Sequence, residues 1–247
     1  MATLLLISPL IPYFFDISQS LEHKLHIVLT LAAIIAVVSF VDDLDTIGKS
    51  RWSVPPIVRL LMQIGVGLII GVTSIKISYI SNIFGGVTPL NDYFFQFSFA
   101  DSIYTIYYIP LLLTVFWYVL VFNSINFSDG IPGLTGGFSL ISFIILGCLA
   151  LKLYMTDTTE ASQENSQFIL ILLAILIPIT FLVTRLDIKR LGIMGDSGTI
   201  LLAFFIATLA IIAGGKIATA MSVIGIYLID FVYVIGLRIL KGKNPMK

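Results

Sequence analysis

FILILLAILIPITFLVT, residues 168–184, carries no charged side chain over 17 positions. A helix that crosses a bilayer needs about 20 mostly apolar residues, and fewer where the bilayer is thin, so this run reads as a spanning helix. Seven further runs of the same kind recur: Ala2 to Phe15, Leu25 to Val41, Ile57 to Ile75, Ile103 to Phe122, Leu134 to Tyr154, Thr199 to Gly214 and Ile217 to Leu240. Hydrophobic residues make up 58% of the chain and charged ones only 11%, with a mean hydropathy of +1.05. So few charges could not cover a water-soluble fold of this size. Lipid cannot satisfy backbone amides, which leaves helices or closed barrels as spanning structures, and no barrel-type alternation is visible. The expectation is an all-α integral membrane protein with about eight transmembrane helices, folded as a single polytopic membrane domain over residues 1–247.

The charges that remain are informative by position. Their formal sum is zero, so no global field points to nucleic acid. Short cytoplasmic loops hold the excess of Lys and Arg. One set of connections carries Lys49, Arg51, Arg59, Arg185, Lys189, Arg190, Arg238, Lys241, Lys243 and Lys247. The alternate set carries Lys24, Lys76, Lys152 and Lys216 beside Asp16, Glu22, Asp92, Asp101, Asp157, Glu160 and Glu164. The first set is assigned to the cytoplasm. Tyr104, Tyr107, Tyr108 and Tyr154 fall at the outer helix ends, where amphipathic rings favour the interface. The single Cys148 reads as a small packing residue with no redox role. The first run lacks a basic n-region and a cleavage site, so it reads as part of a spanning helix rather than a signal peptide.

Three segments on the cytoplasmic side hold acids and glycines that an anchor would not need. Phe40-Val41-Asp42-Asp43-Leu44-Asp45 closes the second run. Carboxylates sit badly at a helix C-terminus, which already carries partial negative charge, and adjacent acids repel, so a cation is expected to compensate them; an ordinary solvated helix end is the alternative. Asn126-Phe127-Ser128-Asp129-Gly130-Ile131-Pro132-Gly133 precedes the fifth run. Met194-Gly195-Asp196-Ser197-Gly198-Thr199 opens the seventh. Both put glycines and small polar residues at a helix N-terminus, where free amides favour an anion such as phosphate, and an acid beside phosphate suits Mg²⁺. The alternative for each is a helix cap, with Asp129 or Ser197 accepting from the first turn. Arg59 could snorkel to the interface or pair with the first segment.

FVDDLD, NFSDGIPGLTGG and MGDSGTILLAF, in that order, resemble the signature motifs of the polyprenyl-phosphate N-acetylhexosamine-1-phosphate transferases, glycosyltransferase family 4 of bacterial cell envelopes. The third is closer to the N-acetylglucosamine-1-phosphate transferases than to the peptidoglycan-precursor translocase. The resemblance implies a cytoplasm-facing active-site cleft in the bacterial inner membrane. There, N-acetylhexosamine 1-phosphate would pass from a UDP-N-acetylhexosamine such as UDP-GlcNAc to undecaprenyl phosphate, releasing UMP. That is the first membrane step of an envelope glycan pathway, of the lipopolysaccharide or cell-wall kind. It further implies Mg²⁺, with Mn²⁺ as a substitute, held by Asp196 and Asn126. Asp42 and Asp43 would lie beside the attacking lipid phosphate, and Asp129 would line the same cleft as a catalytic group. Gly130, Gly133, Gly195, Ser197, Lys189 and Arg190 would contact substrate, and Arg185 is a further candidate to neutralise phosphate. Asp230 would lie about 12 Å inside the eighth run as a cleft residue facing the bundle interior. The partners implied are the two substrates and the bilayer, with a second copy of the chain as a candidate.

The sequence departs from that pattern in places. Pro132 stands where a second Asp is usual and Ile193 where an aromatic is usual, both positions that border the uracil; proline offers no carboxylate and isoleucine cannot stack as a ring does. Asp45 comes one residue earlier than the third acid of the first motif. The family also has a further helix and basic loop upstream and a His-rich motif downstream, and His23 and His26 lie on the wrong side to replace it. The chain is therefore expected to be the internal portion of a longer fold of 10–11 helices. The rival expectation is a non-catalytic or impaired homologue that keeps the membrane fold.

Overall fold

The structure is a computed structural model, which describes residues 19–46, 54–81, 86–99, 102–192 and 194–214 and scattered positions between 225 and 242. Six helices follow in order: α1 (Gln19–Thr46), α2 (Pro56–Gly71), α3 (Tyr108–Phe127), α4 (Leu134–Thr156), α5 (Glu160–Ile188) and α6 (Gly195–Ile212). Between α2 and α3 lie two antiparallel hairpins, β1 (Tyr79–Ser81) with β2 (Val87–Pro89) and β3 (Phe94–Phe99) with β4 (Ser102–Tyr107). Among the described residues, five helices are long and apolar enough to cross a membrane. α2 is apolar but shorter, about 24 Å at helical rise. The first expected run lies outside the described residues. So does the eighth, apart from isolated helical positions.

The expected helix from Ile103 needs correction. Residues 102–107, SIYTIY, form β4, and α3 begins only at Tyr108. Ile, Tyr and Thr favour a pleated surface, and a short apolar run does not by itself distinguish strand from helix. Tyr104 and Tyr107 thus lie in a hairpin, while Tyr108 opens α3. Lys76 stacks over the Tyr107 ring at 4.1 Å, tying the end of α2's connection to that hairpin.

Helix α6 is the centre of the bundle. From Thr199 to Ile212 its side chains are buried all round, apart from Leu201, the mark of a helix surrounded by others. It packs on α1 and α3, and α2 packs on α3. Tyr118 and Thr208 share a hydrogen bond of 2.6 Å, and Trp117 Nε1 donates to the Ala207 carbonyl at 3.1 Å, so the α3–α6 seam is pinned by satisfied polar groups. Gly67 and Gly71 face Val115 and Leu111 so closely that a Cβ on either would collide, the close approach that small residues four apart permit in membranes.

On α1, Leu21, Leu25, Val28, Leu29, Ala32 and Ile35 are buried at spacings of three and four, while Ile34 and Val37 are 53% and 65% exposed. Apolar residues on both faces suit lipid as the outer solvent. Cys148 corrects a sequence expectation for the same reason: it is exposed on the outer face of α4 rather than packed inside, because lipid does not drive an apolar group inward.

Candidate active site

Antiparallel connection brings one end of all six helices together: the C-terminal ends of α1, α3 and α5 and the N-terminal ends of α2, α4 and α6. The three motif segments meet there. Asp43, at the end of α1, accepts from the backbone amides of Asp196 (2.9 Å) and Ser197 (3.1 Å) and from the Ser197 hydroxyl. Its carboxylate thereby takes the place of an N-cap for α6, satisfying amides that the helix itself leaves free. Gly195 makes the contact feasible. Its φ is +65°, and a Cβ there would stand 2.8 Å from Asp43 Oδ2, so both the left-handed backbone and the close carboxylate demand glycine. The anion-binding amides expected at this helix start are therefore already met by an anion of the chain itself, and Ser197 donates, where the capping alternative had it accept.

Arg59 settles the cation expected beside the first motif. One turn into α2, its Nη2 pairs with Asp42 Oδ2 and its Nη1 lies 2.8 Å from Asp196 Oδ2. Asp42 is buried, and its Oδ1 accepts from the Val54 amide at 3.0 Å. One guanidinium thus joins the first and third motifs. Asp196 also feels the charge of Asp42, Asp43 and Asp129, which puts four carboxylates in one neighbourhood.

Asp129 ties the second motif to the third. Its Oδ2 accepts from the Thr199 hydroxyl in the first turn of α6 (2.9 Å) and its Oδ1 from Thr135 in the first turn of α4 (3.3 Å). Asp129 thus binds hydroxyls rather than the backbone amides that a helix cap would take, and no side chain caps the start of α4. Burial pushes the Asp129 carboxyl above the usual carboxylate range, the threonine hydroxyls pull it back, and the charges of Asp187 and Asp43 add to the rise.

Asn126 sits on the last turn of α3. Three residues before it, Asn123 donates to Gln63 Oε1 at 2.8 Å. Helices α2 and α3 run in opposite directions, so the turn after Asn123 lies level with the turn before Gln63, where Arg59 is. Asn126 Oδ1 and Arg59 Nε are both buried without a hydrogen-bond partner. An uncompensated buried acceptor is costly, and an amide oxygen is a hard donor of the kind that divalent cations take. Among the described residues no three His, Cys, Asp or Glu side chains group to enclose a metal.

A cavity of about 360 Å³ adjoins these groups, lined by Asp129, Gly130, Ile131, Pro132, Asp187, Arg190, Gly192 and Met194. Two of its features were not legible in the sequence. Asp187 accepts from the Gly133 amide at 2.6 Å and holds the glycine loop to the end of α5; an acid among Arg185, Lys189 and Arg190 was the signal available. Gly133 is left-handed (φ +80°), and a Cβ there would run into Ile188. Arg190 is left-handed too, at φ +56°. The amides of Arg190 and Leu191 bond back to the carbonyls of Asp187 and Leu186, a Schellman closure that glycine usually provides. This places Arg190 at the cavity wall, whereas Lys189 is exposed and does not line it. Arg185 is exposed as well. Met194 is shared with an apolar cavity of about 190 Å³ between α5 and α6. Asp230, Ile193 and the side chain of Asp45 lie outside the described residues.

Residues 25–214 match the family description Glycosyl transferase family 4. A Bacillus subtilis (strain 168) protein named a probable undecaprenyl-phosphate N-acetylglucosaminyl 1-phosphate transferase is 26% identical over 223 residues, 87% of this chain and 52% of its own. A phospho-N-acetylmuramoyl-pentapeptide-transferase of Staphylococcus epidermidis is 27% identical over 217 residues, covering 87% and 60%. An undecaprenyl-phosphate alpha-N-acetylglucosaminyl 1-phosphate transferase of Yersinia pestis is 29% identical over 141 residues, covering 54% and 37%. The chain spans about half the length of the curated relatives it matches.

Proposed function

We propose, from the premise that this multi-pass membrane chain belongs to glycosyl transferase family 4, that it carries the site of a phospho-N-acetylhexosamine transfer from a UDP-sugar to undecaprenyl phosphate. An oxygen of the lipid phosphate attacks the phosphorus that bears the sugar, the bond from that phosphorus to the bridging oxygen breaks, and UMP leaves. The site would face the cytoplasm of a bacterial inner membrane, where the Lys- and Arg-rich connections gather. The observation that carries the reading is the convergence of Asp42, Asp43, Asp129 and Asp196, from three separate segments, on one end of the bundle.

Phosphoryl transfer asks a protein for alignment and charge neutralisation more than for covalent help. Asp196 and the unpaired Asn126 oxygen would hold Mg²⁺ or Mn²⁺, which would offset the charge of the donor diphosphate. Asp42, buried against Arg59, is the carboxylate to orient or deprotonate the acceptor phosphate. Asp43 accepts from two α6 amides and would serve by fixing Asp196 in place. Arg190 and Gly130 line the cavity proposed for the donor, and Pro132 gives that cavity an apolar wall where a carboxylate would otherwise contact the base. The apolar cavity sharing Met194 offers surroundings suited to an isoprenoid tail beside the charged groups.

The test is UMP release from UDP-GlcNAc with undecaprenyl phosphate in detergent, comparing the wild type with Asp196→Asn. Release by the wild type and its loss in the variant support the reading; release indifferent to the change removes the metal assignment.

A further inference from the structure

We propose that Arg59 is a placeholder for the divalent cation, bridging Asp42 and Asp196 in the unloaded site and giving up Asp196 when the cation binds. This rests on the reading of Asp196 as a cation ligand. Asp42 and Asp196 come from segments more than 150 positions apart, and like charges brought together repel unless something positive stands between them. Arg59 stands there: one guanidinium nitrogen is on each carboxylate.

The two contacts are unequal. Asp42 is only 7% exposed at the side chain and is also held by the Val54 amide, whereas Asp196 and Arg59 are each 33% exposed. The Asp196 contact is therefore the one that solvent can reach and a cation can replace. Arg59's docking is also incomplete, because its Nε donor is buried without an acceptor, and the Asn126 oxygen at the same level is buried without a donor. A guanidinium settled for structural reasons alone would be expected to use its third nitrogen as well. On loading, Nη2 keeps Asp42 and Nη1 turns from Asp196 toward the incoming phosphate oxygens, for which its flat fork is suited. Cation and guanidinium then compete for one carboxylate, and each weakens the other to the same degree.

Mn²⁺ binding to the purified, substrate-free protein in detergent, read by the loss of free Mn²⁺ signal in electron paramagnetic resonance, tests this without any turnover. Arg59→Gln is expected to bind Mn²⁺ about tenfold more tightly than the wild type, within the range of coupling between competing ligands. Arg59→Lys, whose single ammonium cannot bridge both carboxylates, keeps the charge in case the glutamine variant does not fold, and is expected to gain affinity by less. Adding Asp196→Asn to Arg59→Gln is expected to erase the gain. Unchanged, weaker or undetectable Mn²⁺ binding in the folded Arg59 variants overturns the assignment. A chain that gains Mn²⁺ affinity as described but releases no UMP keeps this assignment and loses the transferase reading instead.

Discussion

Among the described residues, the two ends of the helix bundle use their polar groups differently. At the motif end, Asp43, Asp129 and Arg59 make bonds that span 153, 70 and 137 positions of sequence and are each partly buried. At the opposite end, Asp157 accepts from Thr159 two positions on, and Glu22 lies 3.5 Å from His26 one turn away, all exposed; Lys24 to Asn165, at 2.8 Å, and the Ile77 amide to the Thr114 hydroxyl, at 3.2 Å, reach further along the sequence. Local exposed bonds only finish a turn or a helix end. Buried bonds between distant segments fix the positions of groups whose charge costs free energy to collect, and such collections are where chemistry is found.

Substitutions that treat the two ends alike would break this contrast. The largest effect is expected for Asp196→Asn, with UMP release falling on the order of 10³-fold while the protein stays folded; its counterpart, Asp157→Asn, should leave turnover unaltered. Next comes Asp43→Ala, which strips α6 of its cap and should cost about 0.5–2 kcal/mol of stability together with much of the activity. Gly195→Ala should reproduce both losses by pushing Asp43 away from the amides, seen as a lower thermal midpoint and lower kcat.

How much of this was legible in the sequence follows the same contrast. Spanning helices were, because apolar runs such as 168–184 have one outcome in lipid. The segments holding Asp42, Asn126, Asp129 and Asp196 were legible as motifs. What escaped was partnership. No pattern near Asp43 announces that it caps the start of α6, since the cap and the helix it serves are 153 positions apart. Asp187 was lost among the cations that the positive-inside rule supplies anyway, and Arg190 occupies a backbone region where glycine would be looked for. The hairpin at 94–107 was hidden because Ile, Tyr and Phe are apolar in either secondary structure.

A smaller effect sharpens the comparison through pH. Burial raises the Asp129 carboxyl, so its folded state favours the protonated form. That contribution to stability is complete below the unfolded value near 4 and is lost as pH rises through the folded value. Asp129→Asn should accordingly raise the thermal midpoint at pH 7–8 relative to wild type and lose that advantage near pH 4. Asp157 runs the opposite way. Its carboxyl is lowered, chiefly by the Thr159 amide, so its contribution is present above the unfolded value and fades in acid. Midpoints for Asp157→Asn should match wild type most closely at low pH.

The cap that Asp43 places on α6 has a bearing on biogenesis. When α1 enters the membrane during synthesis, the segment whose amides it will satisfy has yet to leave the ribosome. The first turn of α6 must therefore wait, unsatisfied, until the helix inserts beside one made 150 residues earlier. Assembly of the motif end is thereby tied to completion of the bundle, and a half-inserted chain holds no finished site.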